Sequence, residues 1–189
     1  QGPYLWEVGA SYALAGHVLQ GRVTVFDTQK SWKKLRSQSF GTGQVYVAVQ
    51  GSWGLVTLTT QKKLLLVALP SLRIHRTYAL SFYPYGVHIE AKTASTTRPG
   101  TTKPVTRPSS RPTTIHQGPT HVVISDQLGG RLVRFHLPTG KIVHSRAFRW
   151  PLRTRWSGPF GVLIPIAGPI LLLDSHWNIK YRWTFPGVV

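Results

Sequence analysis

The chain has 189 residues, 41% of them hydrophobic, with no cysteine and no methionine, and 23 Lys plus Arg against 5 acidic residues give it a formal charge of +18. That length accommodates one domain or two small ones with a real apolar core, and the missing thiols exclude disulfides, thiolate nucleophiles and Cys-ligated zinc. The most apolar run, residues 160–173, is broken by Pro165, Gly168 and Pro169, so it is not the unbroken stretch of roughly 18 to 20 residues that a membrane-spanning helix needs.

From the N-terminus onward, almost every structured segment reads as strand. Val23-Thr24-Val25-Phe26-Asp27-Thr28 followed by Lys33-Lys34-Leu35-Arg36 forms a strand–turn–strand unit. Residues 45–49 and 55–59 are short, β-branched or aromatic, and bounded by turn residues, which is the signature of strands. A second unit is Leu65 to Pro70 with Arg73-Ile74-His75-Arg76. The third is Leu132 to Pro138 with Lys141-Ile142-Val143-His144, and the fourth Ile170 to Ser175 with Ile179-Lys180-Tyr181-Arg182. Residues 131–137 alternate polar with apolar, so one face of that strand is buried and the other wet. No segment sustains a helical period.

Asp27, Leu69, Leu137 and Asp174 tie the units together at spacings of 42, 68 and 37. A Pro-led head recurs with them: Pro3-Tyr4-Leu5-Trp6, Pro84-Tyr85-Gly86-Val87, Pro159-Phe160-Gly161-Val162 and Pro186-Gly187-Val188. Two landmarks repeating along the chain mark an architecture of stacked copies of one unit. The long spacing contains an insertion, residues 92–119, rich in Thr, Ser, Pro and Arg. Without large apolar side chains it reads as an extended loop or linker. The chain therefore divides into residues 1–91 (units one and two with the first strand of unit three), 92–119 (the loop) and 120–189 (the rest of unit three and unit four).

The segment 121–143, with Ser125-Asp126, Gly129-Gly130 and Thr139-Gly140-Lys141, resembles one blade of a β-propeller of the YVTN, NHL or quinoprotein-like kind. Pro84-Tyr85-Gly86-Val87 matches the head of such a blade, and the likeness is best over residues 84–148. The resemblance implies an all-β fold of repeated antiparallel blades, of which about four units are visible in this chain. The last of them reads as incomplete, short of a strand between Ile166 and Val189. A β-sandwich, or two small sheets, is the competing arrangement. An incomplete blade leaves an open sheet edge, which proteins cover or exchange, so the chain is expected to form a homo-oligomer or larger assembly by strand exchange.

Catalytic chemistry finds little to work with. The carboxylates Glu7, Asp27, Glu90, Asp126 and Asp174 form no local pair, and the three aspartates sit where Asx turns and backbone capping explain them. Among the eight histidines none has the spacing of a zinc site; His136 and His144 alone are placed to face one another across a hairpin. Gly140-Lys141 lacks the preceding glycine of a phosphate-binding loop. Neither a cofactor set, a metal set nor a catalytic group emerges.

The charge points to polyanionic partners, nucleic acid or acidic polysaccharide. Arg98, Lys103, Arg107 and Arg111 in the loop, with Arg149, Arg153 and Arg155, are the candidate phosphate contacts, and Trp150 and Trp156 the candidate stacking platforms, because Arg beside Trp is the composition of surfaces that stack bases and bind phosphates. The alternation in Lys180-Tyr181-Arg182-Trp183 reads differently: Tyr and Trp packed between blades, Arg turned outward. Gln1 in place of an initiating methionine suits a mature secreted protein. The expected function is a non-catalytic structural or interaction module, with basic polyanion binding as the alternative.

Overall fold

A computed structural model describes residues 5–17, 19–90, 118–157 and 159–184. They form sixteen strands and no helix, hence none that is long and apolar enough to cross a membrane. The strands make four antiparallel sheets in simple sequence order. Blade 1 is β1 (Leu5–Val8), β2 (Tyr12–His17), β3 (Arg22–Asp27) and β4 (Lys33–Ser39). Blade 2 is β5 (Val45–Gln50), β6 (Trp53–Leu58), β7 (Lys63–Ala68) and β8 (Arg73–Ala79). Blade 3 is β9 (Pro84–Ile89), β10 (His121–Asp126), β11 (Arg131–His136) and β12 (Lys141–Ala147). Blade 4 is β13 (Pro151–Ser157), β14 (Phe160–Pro165), β15 (Ile170–Leu173) and β16 (Ile179–Trp183). This is a β-propeller array, and separate sheets rule out the sandwich. Residues 91–117, nearly all of the predicted loop, lie outside the described residues.

The repeated strand–turn–strand units are the third and fourth strands of each blade. Each of these pairs carries a register shift at a corresponding place: Val25/Phe26, Leu66/Val67, Arg134/Phe135 and Leu172/Leu173. A bulge kinks and twists the strand that carries it, so the outer edge of every blade turns in the same way. Just before the fourth strand, a residue in the left-handed region closes the hairpin: Trp32 (φ 59), Leu72 (φ 56), Gly140 (φ 69) and Trp177 (φ 64).

Blade 4 is complete, which corrects the expectation of a missing strand. Its innermost strand is β13, and Pro159-Phe160-Gly161-Val162, read as the head of the unit, opens the second strand instead. The cause is composition. Pro151-Leu152-Arg153-Thr154-Arg155-Trp156-Ser157 carries two arginines and little β-branched bulk, so it lacks the apolar look of a strand. With four strands in every blade, strand exchange loses the vacancy that motivated it.

Burial follows from stacking. A blade between two neighbours is covered on both faces, so consecutive residues of its central strands are buried: Val122, Val123 and Ile124 are all at full burial. Three apolar clusters hold the array. Leu14, Val23 and Val25 of blade 1 pack with Val56, Leu65 and Leu72 of blade 2. Leu55, Leu64 and Tyr78 of blade 2 pack with Ile124, Val133 and Phe135 of blade 3. Val123 and Leu132 of blade 3 pack with Leu163, Leu171 and Trp177 of blade 4. Among the described residues no such cluster joins blade 4 to blade 1.

Candidate functional site

The four innermost strands meet at junctions of different chemistry. At the junction of blades 2 and 3, Tyr46 and Tyr85 lie with ring centroids 5.9 Å apart, and burial, with Tyr85 next to it, pushes the Tyr46 phenol up to about 12. Where blades 3 and 4 meet, the Trp156 backbone N–H donates to His88 Nε2 at 3.3 Å. That bond requires an unprotonated Nε2, and burial together with the Arg155 charge lowers the His88 pKa to about 4. Gly86 sits there because a Cβ would stand 2.5 Å from the Leu152 carbonyl oxygen. Blades 4 and 1 are linked by charge: Arg153 and Arg155 reach the Glu7 carboxylate at 3.5 and 3.4 Å, and Arg153 also donates to the Trp6 carbonyl at 3.2 Å.

All five carboxylates are engaged. Asp27 Oδ1 accepts the backbone N–H groups of Gln29 and Lys30, and Asp174 Oδ1 those of His176 and Asn178. These are Asx turns at matching hairpins. Although burial opposes ionisation of Asp174, the bonds from Asn178, Lys180 and His176 hold its pKa at about 2. Asp126 accepts from the Gly129 N–H and pairs with Arg131 at 2.8 Å. Glu90 takes Arg134 through two nitrogens, Nε at 2.9 Å and Nη2 at 2.8 Å.

Two cations without a carboxylate partner, Arg149 and Arg182, come together at the other end of blade 4. A cleft of about 440 Å³ opens between the turn from β12 to β13 and the hairpin joining β14 to β15. Phe148, Pro165, Pro169, Leu171 and Ile179 give it apolar walls, and Arg149, Trp150 and Arg182 line it as well. The Arg149 guanidinium lies 4.6 Å from the Trp150 ring centroid. Trp150 is held outward by its left-handed backbone (φ 44) and is 46% exposed. No described carboxylate pairs with Arg149 or Arg182.

Of the residues singled out by sequence, Arg149 and Trp150 therefore share one site. Arg153 and Arg155 sit apart from it, spoken for by Glu7. Trp156 is packing: it lies against the blade 3–blade 4 cluster, 6.2 Å from the fully buried Trp177. Arg98, Lys103, Arg107 and Arg111 fall outside the described residues. His136 and His144 do not face one another. In register His136 pairs with Lys141 and His144 with Arg134, because the hairpin closes between His136 and Lys141 and leaves His144 further along the strand. His136 instead stacks near His121 at 4.7 Å, and His144 meets the Trp177 edge. No group of three His, Cys, Asp or Glu able to hold a metal occurs among the described residues.

Tyr181 and Trp183 are the residues that sequence reasoning assigned to the wrong surface. Tyr181 and Trp183 were expected inside and Arg182 outside. In the structure Tyr181 and Trp183 are exposed, stacked on one another at 6.4 Å, while Arg182 points to the cleft side. The alternation was legible; which face has a neighbour was not.

No known family model matches the chain, and neither does any curated protein. Solved structures do match in fold. Hydrazine synthase of Kuenenia stuttgartiensis aligns at a TM-score of 0.67 and 12% identity, over 97% of this chain and 49% of that one. The Pan2 WD40 domain of Neurospora crassa aligns at 0.64 and 9%, over 96% and 49%. BamB of Moraxella catarrhalis aligns at 0.53 and 13%, over 94% and 48%. At such identities the likeness is one of fold alone. The chain spans about half the length of each of these structures.

Proposed function

We propose that this chain is a non-catalytic interaction module that holds a polyanion, a single-stranded nucleic acid or an acidic polysaccharide, against the cleft of Arg149, Trp150 and Arg182. The observation that supports this reading is the distribution of charge. Every carboxylate is occupied by a turn or an ion pair, which leaves both cleft arginines without a counter-charge beside an exposed indole. A guanidinium stacked on Trp is pre-oriented to meet a phosphate or sulfate, and the free ring face and apolar walls suit a base or sugar. The excess positive charge raises the local concentration of any such partner.

The test is binding of a fluorescent mixed-sequence single-stranded oligonucleotide, and separately of heparin, across a salt series. Affinity is expected to fall linearly on log–log axes, with each lost phosphate contact flattening the single-strand slope by about 0.7. Arg149→Ala combined with Arg182→Ala is expected to flatten it by about 1.4. Binding that ignores salt, or a slope unchanged in the double variant, refutes the reading.

A further inference from the structure

We infer that blades 1 and 4 carry the two halves of an unfilled blade–blade junction, and that a second copy of this chain fills it, closing a two-fold ring of eight blades. The register separates the faces. On blade 1, Leu14, Val23 and Val25 pack on blade 2, so the residues out of step with them face away: Trp6 in the row of Ala15 and Thr24, Val8 in the row of Ala13 and Phe26. On blade 4, Leu163, Leu171 and Leu173 pack on blade 3. The opposite face carries the row Arg155, Val162, Leu172, Tyr181, with Phe160 and Ile164 on β14 beside it. Both faces carry exposed apolar side chains: Trp6, Val8 and Trp32 are 40, 47 and 50% exposed, and Phe160, Ile164 and Tyr181 are 48, 41 and 65%.

Trp32 shows what blade 1 is shaped to meet. It occupies the left-handed hairpin position that Leu72 and Trp177 hold in blades 2 and 4. Those two are completely buried, each in the cluster with the preceding blade. Trp32 has the same place and no preceding blade among the described residues, so it rests edge-on against Trp6 at 6.4 Å. The preceding blade it calls for has a free face of the blade 4 type. A contact between such a face and blade 1 joins unlike surfaces, head to tail, and head-to-tail contacts form a closed ring when the rotation is completed.

The number of blades points to a second copy as the occupant. The face that Trp32 calls for is one that this chain itself carries on blade 4, so a second copy supplies at each junction the face the first lacks, and two four-blade arrays make one ring of eight. The Glu7 bridges to Arg153 and Arg155 span innermost strands only, at 3.4 to 3.5 Å, and leave the apolar faces in water. Made between copies, the same three charges pair across both junctions while those faces are covered. This inference is independent of polyanion binding and needs neither Arg149 nor Arg182.

Light scattering on the full chain from micromolar to sub-millimolar concentration is expected to give twice the 21.1 kDa of one copy. Trp32→Glu and Ile164→Glu, one on each face, are each expected to yield folded monomer by circular dichroism and light scattering. Ile142→Glu, on an exposed outer strand away from both faces, should leave the dimer intact. The absence of cysteine permits a cleaner test: Val8→Cys protein mixed with Phe160→Cys protein should form a covalent heterodimer on oxidation well above the collisional level set by Ile142→Cys mixed with Phe160→Cys. A monomer throughout the range, a dimer that survives both Glu substitutions, or a mixture that fails to cross-link above that level overturns the inference. Arg149→Ala with Arg182→Ala should leave the dimer unchanged, whatever it does to polyanion binding.

Discussion

His88 makes the junction of blades 3 and 4 sensitive to acid, and the size of the effect follows from its surroundings. Its Nε2 accepts the Trp156 N–H, Arg155 stands nearby, and burial adds to that charge in lowering its pKa from 6.5 to about 4. The unfolded chain, with the ordinary pKa, binds its proton first as the pH falls. The contribution of neutral His88 is therefore whole above pH 6.5, is lost between 6.5 and about 4, and changes no further below that. A difference of that size corresponds to about 3 kcal/mol over the window, of which about 2 kcal/mol is lost by pH 5. In His88→Gln an amide oxygen can accept the same N–H without titrating. Urea unfolding followed by tryptophan fluorescence at about pH 7.5 and pH 5 should show the variant losing about 2 kcal/mol less than the parent. His17 and His121, whose pKa values burial also lowers, titrate in both proteins and cancel in the comparison. Equal losses in the two proteins would refute the assignment.

Two further substitutions probe single contacts between blades. The Tyr78 hydroxyl of blade 2 donates to the Leu137 carbonyl of blade 3 at 2.8 Å in a buried setting. Tyr78→Phe should lower unfolding free energy by about 1 to 1.5 kcal/mol in urea, and an unchanged midpoint would mean the bond carries nothing. Gly86→Ala places a methyl group against the Leu152 carbonyl oxygen, and an overpacked site costs about 1 to 3 kcal/mol. Gly51→Ala, at a left-handed turn with open space around it, supplies the contrast: about 1 kcal/mol, from backbone conformation alone. Thermal melts of the pair should separate crowding at a junction from conformational cost at a turn.

What was legible in the sequence was the outer half of each blade. The third and fourth strands are joined by hairpins whose turns need particular chemistry, such as Asp27 and Asp174 accepting backbone N–H groups or Gly140 in the left-handed region, and that chemistry repeats visibly. The inner half was legible in blade 2, where residues 45–49 and 55–59 read as strands, and harder to see in blades 1 and 4. Inner strands face a neighbour on each side and the axis at their edge, so β1 mixes Trp6 and Glu7 with Val8 and β13 mixes arginines with Trp156. Neither gives the apolar run or clean alternation that marks a strand. The cleft was half legible: Arg149 and Trp150 are adjacent in sequence, whereas Arg182 arrives from the last strand, and only the fold brings it there.

The misassigned face of β16 bears on what the fold is built to contact. Outward-facing surfaces of this protein have a recognisable composition: β4, β8 and β12 are mostly exposed and carry Lys, Arg, His, Ser and Gln among few apolar residues. The free face of blade 4 lies equally open, yet it carries Phe160, Val162, Ile164, Leu172, Tyr181 and Trp183. Scattered exposed apolar residues need no explanation, but a contiguous set on one sheet face does. Its composition is that of the covered faces of blades 2 and 3, where Leu55, Leu64, Val122 and Ile124 lie between sheets. Blade 1 repeats the pattern on its own free side with Trp6, Val8, Phe26 and Trp32. Two free faces with interior composition, at opposite ends of one array, are the pattern expected of a ring interrupted at a junction, with each end suited to the other.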